Sequence, residues 1–296
     1  MAISSTSGLT YNDTRGSDPL RVCDCGITGE SIATFRRIIL THYRKSGRVL
    51  PWRVNPTPYA VFVSEIMLQQ TQVSRVIPKF EAFVRAFPDF NSLASASLSS
   101  VLALWQGLGY NRRAVALRES AQILQRKYDG ILPESIEDLS LLPGIGKATA
   151  SAIAVYAFHR PVVFIETNIR TVFIHFFFPG MEGIMDKQIF PLVEKTLYRR
   201  DPSRWYNALM DYGVLLKESY GNPGRRSAAT RGQSPFKNSH RQRRGKILRA
   251  VLGNPGITLD DLADTIAQDA GLTGKIVSEL MQEGFIVRRG DRYRIK

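Results

Sequence analysis

A chain of 296 residues with 44% hydrophobic content holds enough apolar material for one large or two modest cores and reads as globular. Its 40 Lys and Arg against 26 Asp and Glu give a formal charge of +14, which favours a polyanionic partner such as nucleic acid. Two cysteines, Cys23 and Cys25, are too few for a disulfide framework or a four-ligand metal site, no apolar run reaches bilayer length, and the first residues lack a signal pattern, so a cytoplasmic location is expected.

Residues 1–30 are expected to be a flexible leader, rich in Ser, Thr and Gly, with both cysteines reduced. From Ser31 to about Glu218 apolar residues recur at helical spacing with no sustained alternation, which predicts an all-α domain over 31–218. Thr57 is placed to cap a helix that Pro58 opens and that runs through Glu65 to Gln70. Further helices are predicted over 71–87, 98–106, 112–128 and 135–141.

Leu142-Pro143-Gly144-Ile145-Gly146-Lys147 follows as a tight turn. Two glycines around one apolar residue let it present consecutive backbone N–H groups at the start of the next helix, 147–158, a nest that binds phosphate without reading sequence. Thr167 is placed to cap a helix over 168–177, and helices over 186–198 and 202–218 complete the domain.

Ser219 to Lys246 contains eight Lys or Arg and no acidic residue, so 219–243 is expected to be a basic linker, phosphate-tracking or simply solvated. Helices over 244–252, 258–268 and 273–283, then strands over 285–288 and 292–295 flanking Arg289-Gly290-Asp291, predict a small winged-helix domain over 244–296. From Ile247 onward seven basic residues face seven acidic ones, with the positive charge mainly on the wing. DNA binding and a structural or protein-contacting role both remain open for it.

Leu50-Pro51-Trp52-Arg53, the run from Ser64-Glu65 through Gln69-Gln70-Thr71 to Val73, Gly107-Leu108-Gly109-Tyr110 and the glycine hairpin, taken together, resemble the MutY-type adenine DNA glycosylases of the helix-hairpin-helix superfamily. The resemblance covers about Arg48 to Tyr220; Phe236 to Leu248 more weakly resembles the segment after the catalytic domain in some members. It implies that Glu65 protonates the departing base of a nucleotide swung out of the duplex, with Val61, Phe62, Ile66 and Leu68 desolvating it and raising its pKa. It implies that Glu166 stabilises an oxocarbenium-like sugar and orients water, with Asn168 as its hydrogen-bond partner.

By the same resemblance Gln69, Gln70, Thr71 and Tyr110 fill and read the vacated position, Tyr110 as a stacking wedge, while Gly144, Gly146 and Lys147 hold the backbone phosphate. Trp52, Arg53 and Leu68 would line the base pocket. A monovalent cation on hairpin carbonyls, and a monomer acting at the nucleoid on double-stranded DNA that carries a mismatched or damaged base, are further expectations.

The chain departs from the pattern in ways that bear on chemistry. Glu166-Thr167-Asn168 stands where the family has Asp, Gly and Asn, and a carboxylate displaced by about an ångström can cost on the order of 100-fold in rate. Ala148 occupies the place of the lysine in strand-cleaving relatives, so base removal by water without efficient strand cleavage is expected. No cysteine follows Cys25, so the family's four-cysteine iron–sulfur cluster cannot form and no cofactor is expected. The winged helix takes the place of a Nudix-like domain, and Asn207-Ala208-Leu209 lacks the Gln or Glu expected to read an adenine edge.

The reading that follows is a monofunctional glycosylase excising adenine opposite guanine or 8-oxoguanine. A thymine or uracil glycosylase acting opposite guanine, and a non-catalytic DNA-binding protein, are the alternatives.

Overall fold

The computed structural model describes residues 28–229, 232 and 235–296; the expected leader up to residue 27, with both cysteines, lies outside the described residues. Helices α1 (Gly29–Ser46), α2 (Pro51–Val54), α3 (Pro58–Leu68), α4 (Val73–Ala86), α5 (Phe90–Ser95) and α6 (Leu98–Trp105) are followed by α7 (Arg112–Lys127), α8 (Ile136–Ser140), α9 (Lys147–Phe158), α10 (Thr167–Phe177), α11 (Asp186–Thr196) and α12 (Pro202–Ser219). Thr57 caps α3 as expected, its hydroxyl accepting from the Ala60 N–H at 3.2 Å. The short helices α2 and α5 were not expected, because four and six residues are too few to show a helical period.

The stretch expected as one contiguous domain is divided between two compact units that interleave in sequence. The first comprises residues 28–47, 165–198 and 204–229; the second comprises 48–164, 199–203 and the described residues from 232 on. In the first, Phe35 of α1 is fully buried against Phe173, Phe176, Phe177 and Trp205, with ring centroids 5.0–5.7 Å away and edge-on geometry throughout. Arg36 donates to the carbonyls of Thr196 (2.9 Å) and Leu197 (2.7 Å), which terminate α11. This apolar and polar pairing holds α1 against residues far along the chain.

Part of the expected linker belongs to the first unit. Pro223–Arg226 form a 3-10 turn in which Gly224 is so close to α10 that a Cβ would lie 2.5 Å from Thr171 Oγ1. Arg226 donates to the carbonyls of Ile174 (3.2 Å), Phe178 (2.6 Å) and Met181 (3.3 Å), and Ser227 forms a parallel bridge with Ile184. A cation that the sequence left as phosphate-tracking or simply solvated therefore caps the C-terminal end of α10. A guanidinium and a close-packed glycine hold this segment against α10.

The second unit contains the hairpin and the winged-helix domain, and is called the hairpin unit below. In it α3 packs on α9, whose Ala150, Ala152 and Ala154 are small enough to bring the two backbones together. The winged-helix domain consists of α13 (His240–Gly253), α14 (Leu259–Ile266), α15 (Ala270–Gln282) and the antiparallel strands β1 (Ile286–Arg289) and β2 (Arg292–Ile295), with Ile286 opposite Ile295. Helix α13 starts four residues before the expected 244 because Ser239 caps it, accepting from the Gln242 N–H at 3.2 Å. Asp269 similarly starts α15 at 270 rather than 273.

Candidate functional site

Helix α3 is buried at Val61, Phe62, Val63, Ser64, Ile66 and Met67, whereas Glu65 is half-buried. Val61 and Phe62, one turn before it, are almost fully sequestered, so the carboxyl stands on a largely apolar helix. At the end of α3, Gln69 donates through its amide to the carbonyl of Gly144 (3.1 Å) and to Thr149 Oγ1 (3.3 Å). The side chain expected on DNA thus fastens the acid's helix to the hairpin.

The hairpin has the conformation its glycines predict. Gly144 takes φ +75, and a Cβ there would sit 3.0 Å from that of Ala116. Leu142 and Ile145 are buried and anchor the turn, while Gly146 is the N-cap of α9 with no side-chain cap, leaving the first N–H groups of a 12-residue helix available to an anion. Lys147, the first helical residue, is exposed beside them. The carbonyls of Leu142, Pro143 and Gly144 accept hydrogen bonds from Ile145 N, Ser120 Oγ and Gln69 Nε2.

Sequence reasoning missed the residue that organises the reading loops, Arg113. It is buried, and its Nη1 lies 3.0, 2.8 and 2.6 Å from the carbonyls of Ile66, Met67 and Gln69, while Nη2 reaches Thr71 Oγ1 and the Gly109 carbonyl, each at 3.0 Å. One guanidinium therefore satisfies the end of α3 and joins Gln69-Gln70-Thr71 to Gly107-Leu108-Gly109-Tyr110. Burial draws its pKa down to about 10, which leaves it charged at neutral pH. The available signal was Arg112-Arg113 at a helix start, where the dipole disfavours cations and a special partner is needed.

Both loops carry non-glycine residues in the left-handed region, Gln70 at φ 53 and Tyr110 at φ 48, and both residues are exposed. Trp52 is buried edge-on against Phe80 at 5.3 Å, a core position, whereas Arg53 and Leu68 are half-buried.

In the first unit the structure corrects two sequence expectations. Glu166, not Thr167, is the N-cap of α10: its Oε1 accepts from the N–H groups of Asn168 (2.6 Å) and Ile169 (2.9 Å). The longer side chain curls back onto its own helix, and the added methylene is taken up in capping. The Asn168 side chain does not hold this carboxylate; its Oδ1 accepts from Lys217 Nζ at 2.5 Å, and only its backbone N–H reaches Glu166.

Lys217 is a second residue that sequence reasoning missed. Gly213, one turn earlier on α12, lets that helix approach until a Cβ would lie 2.7 Å from Asn168, so Lys217 arrives beside the start of α10. Burial pushes the Glu166 carboxyl above its ordinary value, against the Ile169 and Asn168 N–H groups, Lys217 and Arg170, which pull it down. Arg170 is fixed by a bidentate pair with Asp186, both contacts 2.7 Å. The rise from burial is the larger effect, and the two N–H groups and two cations limit it.

Residues 63–196 match the HhH-GPD superfamily base excision DNA repair proteins, and residues 241–287 match the winged helix-turn-helix DNA-binding family. Two proteins from Buchnera aphidicola, of the Acyrthosiphon pisum and Baizongia pistaciae subspecies and each named adenine DNA glycosylase, are 36% identical over 188 residues and 40% identical over 187. Each alignment covers 62% of this chain and 53% or 52% of the relative, so the chain spans about half the length of these relatives. Among solved structures, a thermostable thymine-DNA glycosylase is alike in fold with a TM-score of 0.58 at 22% identity, over 66% of this chain and 91% of that one. Among the described residues no helix is long and apolar enough to cross a membrane.

Proposed function

From a chain that belongs to the HhH-GPD superfamily of base excision DNA repair proteins, we propose a monofunctional DNA glycosylase that removes a mispaired base from duplex DNA, adenine opposite guanine or 8-oxoguanine first. The observation that carries this reading is the tie between acid and anchor. Glu65 stands on the helix whose end is fastened by Gln69 to Gly144 of the hairpin, so the proton donor and the phosphate nest are held in one piece. A phosphate seated on the Gly146 and Lys147 N–H groups fixes the strand relative to the acid, which is the positioning that general-acid chemistry needs.

In the proposed reaction Glu65 hands its proton to the departing base as the N-glycosidic bond breaks. Glu166, ionised, stabilises the cationic sugar and orients the attacking water. Tyr110 fills the space the flipped nucleotide leaves, with Gln70 and Thr71 beside it, and Arg53 and Leu68 contribute to the base pocket. Ala148 offers no amine, and Lys147, one place earlier on α9, differs in helical direction by roughly 100°, so water is the nucleophile and the strand is left intact.

The test is a panel of duplexes carrying adenine, thymine or uracil opposite guanine or 8-oxoguanine, incubated with the protein and then treated with alkali. Alkali-dependent cleavage at adenine supports the first reading. Cleavage at thymine or uracil supports the alternative substrate class, which the missing Gln or Glu near Asn207 favours. Cleavage without alkali removes the monofunctional assignment, and no abasic site on any duplex leaves a DNA-binding protein without turnover.

A further inference from the structure

The winged-helix domain reaches the reading loop directly. Arg112, at the start of α7, is paired through both sides of its guanidinium with Glu283, at 2.8 and 2.6 Å, and Arg244 of α13 holds the same carboxylate at 2.6 and 2.9 Å. Arg249, one turn and a residue further along α13, donates to Gln106 Oε1 at 3.3 Å. These contacts place the N-terminal end of α13 over Tyr110. There Arg241 donates from Nη1 to the phenolic oxygen of Tyr110 at 2.9 Å, and its Cζ lies 5.9 Å from that ring and 5.6 Å from the ring of Phe236.

Tyr110 is 39% exposed and backbone-strained at φ 48, and Arg113 stands 5.5 Å from its ring. A residue that must displace a base from the stack gains from being held before the duplex arrives, since ordering it on binding subtracts from affinity. We propose that Arg241 is a positioning residue for the wedge: the winged-helix domain docks on the reading loop and braces Tyr110 through its hydroxyl, so that mismatch discrimination depends on a residue outside the glycosylase domain. This also gives a role to a winged helix whose charges nearly balance over most of its length. The inference rests on the reading of Tyr110 as the wedge.

A double-mutant cycle in the full chain tests it, with Arg241→Ala, Tyr110→Phe and the pair assayed for single-turnover excision and for affinity to an adenine·8-oxoguanine duplex and its matched counterpart. Each single variant is expected to lose on the order of ten-fold in mismatch discrimination, with matched-duplex affinity unchanged and the double variant no worse than Arg241→Ala alone. Multiplying losses, or an equal fall on matched and mismatched DNA with a shallower salt dependence, would make Arg241 a phosphate contact and overturn the brace.

Tyr110→Phe removes only the acceptor oxygen from a half-exposed ring and keeps the test open where Arg241→Ala fails to fold. Tyr110→Ala separates the two claims. Unchanged discrimination in that variant removes the wedge and the brace together, whereas impaired Tyr110→Ala with unaffected Arg241→Ala removes the brace alone.

Discussion

Glu65 and Glu166 are held by different physics. Glu65 sits in the interior of α3, where apolar neighbours a turn away set its surroundings and its place is fixed by helix packing and by the Gln69 tie to the hairpin. Glu166 sits at the open end of α10, where burial raises its pKa and two backbone N–H groups, Lys217 and Arg170 oppose that rise. The contrast is between a carboxyl placed by the packing of its helix and one placed by the backbone of a helix terminus and two neighbouring cations, although the side chains are chemically identical. It also explains how Glu substitutes for Asp: as an N-cap, the carboxylate is located by the helix terminus, which tolerates the longer arm.

The sharpest break of this comparison is Glu65→Gln. Loss of the proton donor should lower single-turnover excision by roughly 100- to 10,000-fold while duplex affinity is spared; excision near the wild-type rate would take Glu65 out of the acid role. Arg113→Met is next, since it strips a buried donor from six acceptors around the loops at Gln70 and Tyr110. We expect a loss of about 3 kcal/mol in denaturant unfolding, and a wild-type midpoint would show the loops hold themselves.

Glu166→Asp should retain the helix cap but withdraw the carboxylate from surroundings built around the longer side chain, lowering excision on the order of 100-fold. Increased activity would show instead that Glu disables a pocket suited to Asp. Lys217→Met removes a charge beside Glu166 together with the hydrogen bond to Asn168 Oδ1. Lys217 pulls the Glu166 carboxyl down, so its removal raises that carboxyl further. An excision step that needs ionised Glu166 fails as pH falls through this value, and the acid limb of the pH–rate profile should therefore move to higher pH; a limb that stays in place would detach Glu166 from the rate.

The smallest effect is expected at Glu283→Gln. Arg112 and Arg244 hold that carboxyl at about 2, so its stabilisation is present above the ordinary value of 4.5 and is lost as pH falls through about 2. The substitution should cost about 1 kcal/mol at neutral pH and low salt, less at high salt, and nothing at pH 2; equal stability at neutral pH would mean the docking contact is idle.

The hairpin, the helix of Glu65 and the winged helix were legible in the sequence because each is written locally: glycines where φ must be positive, a Thr-Pro start, apolar residues at helical spacing, strands around an Arg-Gly-Asp turn. The division into two interleaved units was not, since it depends on Phe35 meeting rings more than a hundred residues away. Nor were the roles of Arg113, Lys217, Arg226 and Arg241, which look from sequence like four more cations in a basic chain. A cation's sequence neighbours do not say whether it faces water, phosphate or a carbonyl at the end of another helix. That choice is made only when packing brings a desolvated acceptor within hydrogen-bond reach, and so the sequence alone determined the fold class and offered Glu65 as the candidate proton donor, while the tertiary structure decided which of these cations hold helix ends and loops together.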